Sequence, residues 1–414
     1  MVAALAACGG GGGGGDVGLV RVVNATSTHA SIDLLASSVA AIPATVKDSV
    51  SAYVGVASGS PILQLDDAGA STALATLAPT VSKDLHYTVL VYESSGTVKT
   101  SVLGDDNVVP AAGTAELRVF DAAPDAGAVA VYVTDPAADL SASTPAFTLP
   151  ASASTQATTF LTFGVGTYRV RVTGVNDITD LRLDIPSVAL VSQQIASVVI
   201  TPTVGGVLAD GGVLIQQGAY TATRNTNARV RLAAAVAGAA TVGAMSGNVI
   251  VSAPTVSPSV GSYAVVPAAN SLAVNVNGAS VQVPATSLQA GSDTTLLVYG
   301  AAAAPTVSLI ADDNHLTAAT TAVKMRLLDG VTGGATPLTL DADFGVVAAG
   351  VQPGTMSPYG VVTGNATMRL DVTSPSSLTP VYTESNLSIP GGAVYTLFML
   401  GDSAAPAHLL RRDR

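Results

Sequence analysis

Cysteine is almost missing from this chain: Cys8 is the single one in 414 residues. Disulfides are therefore excluded from the fold, and each domain must hold by packing alone. Tryptophan is absent, and aromatic residues make up 4% of the chain. Most of the 11 Tyr and 6 Phe are needed for cores, which leaves few for a glycan-stacking platform. Charge is scarce too. The 17 basic residues are spread without clusters against 28 acidic ones, for a net charge of −11. That argues against nucleic acid, whose phosphates demand a basic patch, and against an electrostatic grip on anionic lipid. No run reaches the ~20 consecutive apolar residues of a membrane-spanning helix.

What remains is rich in Ala, Val, Thr and Ser, with 41 Gly and 22 Pro. A β-branched, turn-rich composition of this kind predicts an all-β protein. One motif recurs four times as apolar-Arg-apolar-apolar: Val20-Arg21-Val22-Val23, Leu117-Arg118-Val119-Phe120, Val230-Arg231-Leu232-Ala233 and Met325-Arg326-Leu327-Leu328. A second motif follows each copy. It is an aromatic residue, a turn residue, then apolar residues four and six positions on: Tyr53 with Gly59, Phe160 with Gly166, Tyr263 with Asn270 and Tyr359 with Gly364. Gly and Asn tolerate positive φ, so these turns read as hairpins. A third element is a strongly apolar strand, as in Tyr87-Thr88-Val89-Leu90-Val91-Tyr92 and Tyr395-Thr396-Leu397-Phe398-Met399.

With a short closing strand after each (Ser101-Val102-Leu103, Val213-Leu214-Ile215, Ser308-Leu309-Ile310 and His408-Leu409-Leu410), four motifs in one order in four places predict four tandem Ig-like antiparallel Greek-key β-sandwich domains. The expected division is 1–15 for a truncated lipoprotein signal and polyglycine tether, then repeats at 16–110, 111–222, 223–318 and 319–414. Linkers are expected at Pro110 to Ala115, Gly218 to Asn227 and Leu316 to Ala322, with a long loop around Asp135 to Pro150.

Leu5-Ala6-Ala7-Cys8 resembles the lipobox of bacterial lipoproteins. The resemblance implies cleavage before Cys8 and lipid chains on its sulfur and its new amino terminus. Seven residues without Lys or Arg are too few for a signal peptide, so the expectation is a start codon placed too late or a trimmed chain. Gly9 to Gly15 form a flexible tether. Because Gly9 and not Asp follows the cysteine, the resemblance implies the outer membrane of a Gram-negative cell. Further on, Leu117-Arg118-Val119-Phe120-Asp121-Ala122-Ala123-Pro124-Asp125-Ala126 and Gly166-Thr167-Tyr168 resemble the opening turn and the Gly-Thr-Tyr hairpin of bacterial domain-of-unknown-function 4397 (DUF4397) domains. Unit one matches more loosely, through Asn24-Ala25-Thr26 and Ser31-Ile32-Asp33-Leu34. That family is secreted or lipid-anchored and implies no activity.

Candidate chemistry is sparse. His29, His86, His315 and His408 have no metal-like spacing, and no Gly-x-Ser-x-Gly elbow occurs. Asp343-Phe344-Gly345 matches the kinase metal-binding triplet without the rest of that signature. The pair Asp66-Asp67 and the triplets Asp105-Asp106-Asn107 and Asp312-Asp313-Asn314 lie at strand ends. Hard oxygens in loops suit Ca²⁺, which needs six to eight of them, so the two triplets, each just before a unit junction, are the candidate calcium residues. The recurrent arginine reads best as a charge on the outer face of an edge strand, blocking edge-to-edge pairing and pairing with a neighbouring carboxylate. The expected protein is a non-enzymatic, lipid-anchored envelope component with a structural, adhesive or binding role. Its partners would be the membrane, through the lipid on Cys8, and a protein or glycan. The alternative is a periplasm-facing ligand-binding or envelope-assembly lipoprotein, and third comes an extracellular hydrolase. An extended string of domains would favour display, and a compact particle with a pocket would favour ligand binding.

Overall fold

A computed structural model describes residues 16–94, 97–151, 156–285, 287–333 and 336–414. Within them the chain is all-β, with no α-helix and two short 3₁₀ turns. Cys8 and the glycine run lie outside the described residues.

Unit one shows the plan. Its strands are β1 (Val17–Asn24), β2 (Ser31–Ala36), β3 (Val39–Val46), β4 (Ser49–Val50), β5 (Val54–Ala57), β6 (Leu63–Asp67), β7 (Ala73–Leu77), β8 (His86–Ser94) and β9 (Thr97–Gly104). One sheet runs β4-β1-β8-β9, with β5 also pairing β1; the other runs β3-β2-β6-β7. Every pair is antiparallel except β1 with β8, which is parallel. Alternation explains the core: Val20 and Val22 of β1 pack inward against Ile32, Leu34, Leu63 and Leu65 of the facing sheet. Pro43 sits in β3, an edge strand, where its missing N–H costs no ladder bond.

The same pair of sheets recurs three times. In each copy the Arg strand lies parallel to the late apolar strand: Thr114–Asp121 with Ile195–Pro202, Asn227–Val236 with Asp293–Ala301, and Ala322–Thr332 with Ala393–Asp402. The register is shared. Arg21, Arg118, Arg231 and Arg326 stand opposite Thr88, Ser197, Thr295 and Thr396.

Four expectations need correcting. The arginine strands are central strands flanked on both sides, because the parallel partner adds to the antiparallel one. The turn of the second motif is a crossover and not a hairpin. β5 belongs to the first sheet and β6 to the second, and Leu161–Gly164 and Gly166–Gly174 divide likewise. Of the four turn residues, Gly59 alone has positive φ, at 106°. The expected linker at Gly218 to Asn227 carries a strand, Tyr220–Thr223, that extends unit two's sheet. The expected loop at Asp135 to Pro150 contains a 3₁₀ turn at Leu140–Ala142 and a strand at Phe147–Leu149. Asp343 and Phe344 form a two-residue hairpin turn, both at positive φ.

The outward faces of the arginine strands are also buried. Val23, Leu90 and Tyr92 of unit one pack on Phe120, Val199 and Leu214 of unit two. Ala233 and Leu297 of unit three pack on Leu328, Phe398 and Leu400 of unit four. The approach is close enough that a Cβ on Gly330 would stand 2.9 Å from the Ala235 methyl across that seam. Units one and two, and units three and four, are therefore joined sheet to sheet.

Candidate functional site

Each arginine sits in a small polar box set into an apolar seam. Arg21 Nε donates to Thr88 Oγ1 at 2.7 Å, its guanidinium lies 3.1 Å from Asp105 Oδ2, and it stacks on the Tyr53 ring at 4.9 Å. The Tyr53 hydroxyl and Thr88 Oγ1 both donate to Asp105. Burial first, then the hydrogen bond to Asp105, push the Tyr53 phenol up, so it stays a donor. Arg21 also reaches across the seam, to the carbonyls of Gly218 at 2.5 Å and Ile215 at 3.1 Å.

Units three and four build the same box with the carboxylates exchanged. Arg326 donates to Asp312 of unit three at 2.5 Å, and Arg231 donates to Asp413 of unit four. Thr295 and Tyr263 hold Asp312 at 2.7 and 2.6 Å, and Thr396 holds Asp413. Burial opposes the Arg231 charge, but Tyr263 and Asp413 outweigh it and raise its pKa. In unit two Gln216 occupies the place of the carboxylate, two residues beyond the partner of the Ser/Thr. It bonds Asn107 of unit one at 2.7 Å, and burial leaves the Arg118 pKa lowered.

The candidate calcium residues are consumed by this arrangement. Asp105 and Asp312 are buried against arginines. Asp106 takes His86, and Asp313 takes His315 and Lys324. Asn107 bonds Gln216, and Asn314 donates to Asp293 at 2.6 Å. Oxygens already facing cations and hydroxyls do not fit the oxygen cage calcium needs. Among the described residues no group of three or more His, Cys, Asp or Glu is placed to hold a metal ion. Asp66 and Asp67 part company, to Gln64 and His29.

Further ties run between units. Arg224 donates to Asp48 and to the Thr26 carbonyl of unit one, and to Asp210 of unit two at 2.8 Å. The loop after the late strand of unit two reaches unit three. Gly205 N donates to Gly291 O, Asn314 N to Gly205 O, and His315 Nε2 meets Thr203 O at 2.8 Å.

At the end of the first pair, where β1, β8 and Ile195–Pro202 finish, lies a cleft of about 570 Å³. Leu74, Val98, Pro202 and Val204 give it apolar walls, and His29, Glu93 and His315 give it polar ones. His29 Nδ1 is 2.6 Å from Asp67, and its Nε2 is 3.6 Å from Glu93. Ser27 and Thr28 donate to Glu93 through hydroxyl and backbone N–H. Burial raises the Glu93 pKa, but those bonds outweigh it and hold the group below its ordinary value. A hydroxyl, an imidazole and a carboxylate thus meet, but both hydroxyls are turned to the carboxylate and the imidazole lies between two acids. In this cluster neither the Ser27 nor the Thr28 hydroxyl is in nucleophile–base contact with the His29 ring. The cluster joins residues far apart in sequence, and no local spacing announces it.

Residues 18–132 match a family model described as Domain of unknown function (DUF4397). The match covers unit one and the opening of unit two through Tyr132. The looser resemblance noted in unit one thus falls inside the matched span, together with the Ala-Pro-Asp-Ala turn of unit two. No curated protein matches the chain.

Proposed function

We propose that the chain is a non-catalytic binding protein of the cell envelope, held to the membrane by lipid on Cys8. Its two sheet-to-sheet pairs form a firm scaffold, and the cleft at His29, Glu93 and His315 receives a partner of mixed apolar and cationic character. The observation that carries this reading is the use of the arginine faces. They are buried in pairing, so they are not free to bind anything else, and the cleft loops are what the first pair offers outward. Joined pairs also favour a compact binding particle over an extended display stalk. Glu93, held as a carboxylate by its donors, supplies the negative charge for a cationic group, and Leu74 and Val98 the apolar contact.

Two measurements test it. Cys8→Ser should release the protein from the membrane fraction, and persistent association would remove the anchor. A photo-crosslinking residue at Val204, in the cleft wall, should trap an envelope component in intact cells. The same residue at Val39, on an exposed edge, is the comparison. Equal trapping at both positions would remove the cleft as the binding site.

A further inference from the structure

A second cavity, of about 430 Å³, lies where units two, three and four meet. It is lined by Arg182 of unit two, Arg229 of unit three and Arg412 and Arg414 of unit four. Such a gathering is unexpected in a chain of net charge −11.

The four cations differ in their partners. Arg182 is buried, gives Nη1 to the carbonyls of Ala126 and Ala128 at 3.0 Å, and pairs with Asp180. Arg229 pairs with Asp293 through two bonds of 2.8 and 2.7 Å. Arg412 Nε donates to the Arg414 carbonyl at 2.8 Å. Asp413, between them, is turned to Arg231 and Thr396 in the seam. The Arg414 guanidinium has no acceptor among the described residues, and its Nη2 would stand 3.2 Å from a Cβ on Gly127.

We propose that this cavity is an anion site, in which a small phosphate or carboxylate bridges the Arg414 guanidinium to the cavity faces of Arg182 and Arg229. Three guanidiniums against the two carboxylates of Asp180 and Asp293 leave one positive charge over. Arg414 is partly buried, so its charge is partly withdrawn from water with no carboxylate beside it, which is unfavourable, and a planar guanidinium fork suits two oxygens of one oxyanion. Burial first, then Arg182, push the Arg414 pKa down to about 9. A bound oxyanion would reverse both effects. Because the lining comes from three units, the bound anion would also fasten the second pair of units to the first.

The test uses the full chain and two probes, phosphate and citrate, each against chloride at equal ionic strength, so that general screening cancels. Thermal unfolding should move upward and saturate with either probe. Calorimetric titration should give one site per chain. Arg414→Gln should keep the unliganded melting temperature and lose the response, with at least tenfold weaker phosphate binding. Arg369→Gln, an exposed arginine elsewhere, should leave the response intact. Citrate without phosphate activity would assign the site to carboxylates, and the reverse to phosphates. An equal response in Arg414→Gln, or no shift beyond chloride in the unaltered chain, overturns the proposal.

Discussion

Arg231 and Asp413 stand 182 positions apart in the chain and share one buried ion pair. Its counterpart is Arg326 with Asp312, formed across the same seam in the opposite sense. Two related sandwiches thus exchange carboxylates as the halves of a symmetric dimer would. The apolar contacts of Leu328, Phe398 and Leu400 supply the net attraction, at roughly 1.5–3 kcal/mol for each large side chain fully buried. The ion pairs set register, because a buried charge that misses its partner is costly. Asp413→Asn should therefore destabilise the second pair of units by about 3 kcal/mol, since Arg231 stays buried without its charge partner. Arg231→Met combined with Asp413→Leu should cost less than the sum of the single changes. Urea unfolding of the four proteins measures this, and single costs under about 1 kcal/mol would show that the pair does not enforce register.

Asp329 and Asp121 occupy one position of the repeat, three residues beyond the arginine, where unit one has Asn24. Each folds back to accept a backbone N–H, from Val331 at 3.0 Å and Ala123 at 2.9 Å. Asp329 Oδ2 is buried with no partner among the described residues. Burial pushes both carboxyls up to about 6. A folded value above the unfolded one means the folded chain holds the proton more tightly. Stability is then lost as the pH rises from about 4 to 6, and the penalty is full above 6. Asp329→Asn keeps the Oδ1 acceptor and removes the charge. It should raise stability at pH 7 by up to ~3 kcal/mol, from two pKa units, and change little near pH 4. Melting temperatures at the two pH values decide it; a variant that is less stable at pH 7 would mean the carboxylate has a partner in solution.

Gly206 is where unit two touches the segment joining units three and four. Its φ is +84°, and a Cβ there would come within 2.3 Å of the His315 nitrogen. Neither strain nor clash can be relieved without moving one backbone from the other. Gly206→Ala should loosen the contact between the two pairs by about 2 kcal/mol or more, with each sandwich intact. Solution scattering should show a larger radius of gyration at an unchanged circular dichroism spectrum. Unchanged scattering would show that the two pairs are not held together there.

Strands and repeats were legible because alternation reports which face is buried, and Val20, Val22, Leu63 and Leu65 alternate cleanly. Partners were not legible. The step from Tyr53 through Gly59 to Leu63 reads the same in a hairpin and in a crossover, since period two says nothing about which sheet receives the second strand. Arg21 read as an edge charge because one polar residue in an apolar strand marks an exposed face in an isolated domain. Here the face is covered by another domain, and only the long-range pairing of β1 with β8 and of unit one with unit two reveals it. Asp312 read as a calcium ligand for a similar reason: its true partner, Arg326, belongs to the next unit. The His29 cleft had no signal at all, because Asp67 and Glu93 come from other strands.

His315 offers the test with the widest reach. Its Nε2 faces the Thr203 carbonyl and its Nδ1 faces Asp313 at 2.5 Å. Both acceptors lack protons to give, so the ring must donate from both nitrogens and is an imidazolium. Burial works against the charge, but Asp313, with Asp125 beyond it, wins and raises the His315 pKa. A raised folded value gives stability that is complete below the ordinary histidine pKa and is lost as the pH climbs through the raised one. The titrations of Asp121 and Asp329 end near 6, below the range in which His315 gives up its proton; Lys324, which also binds Asp313, has its pKa lowered by burial and is the group to watch at the upper end. Protease cleavage within residues 316–322 should be several-fold faster at pH 8.5 than at pH 6, because the neutral ring gives up one of its two bonds. His315→Gln should cut at a rate that is nearly flat with pH. If the variant keeps the slope of the unaltered chain, the pH sensitivity of this junction comes from Lys324 instead, and the imidazolium bridge does not hold units two, three and four together.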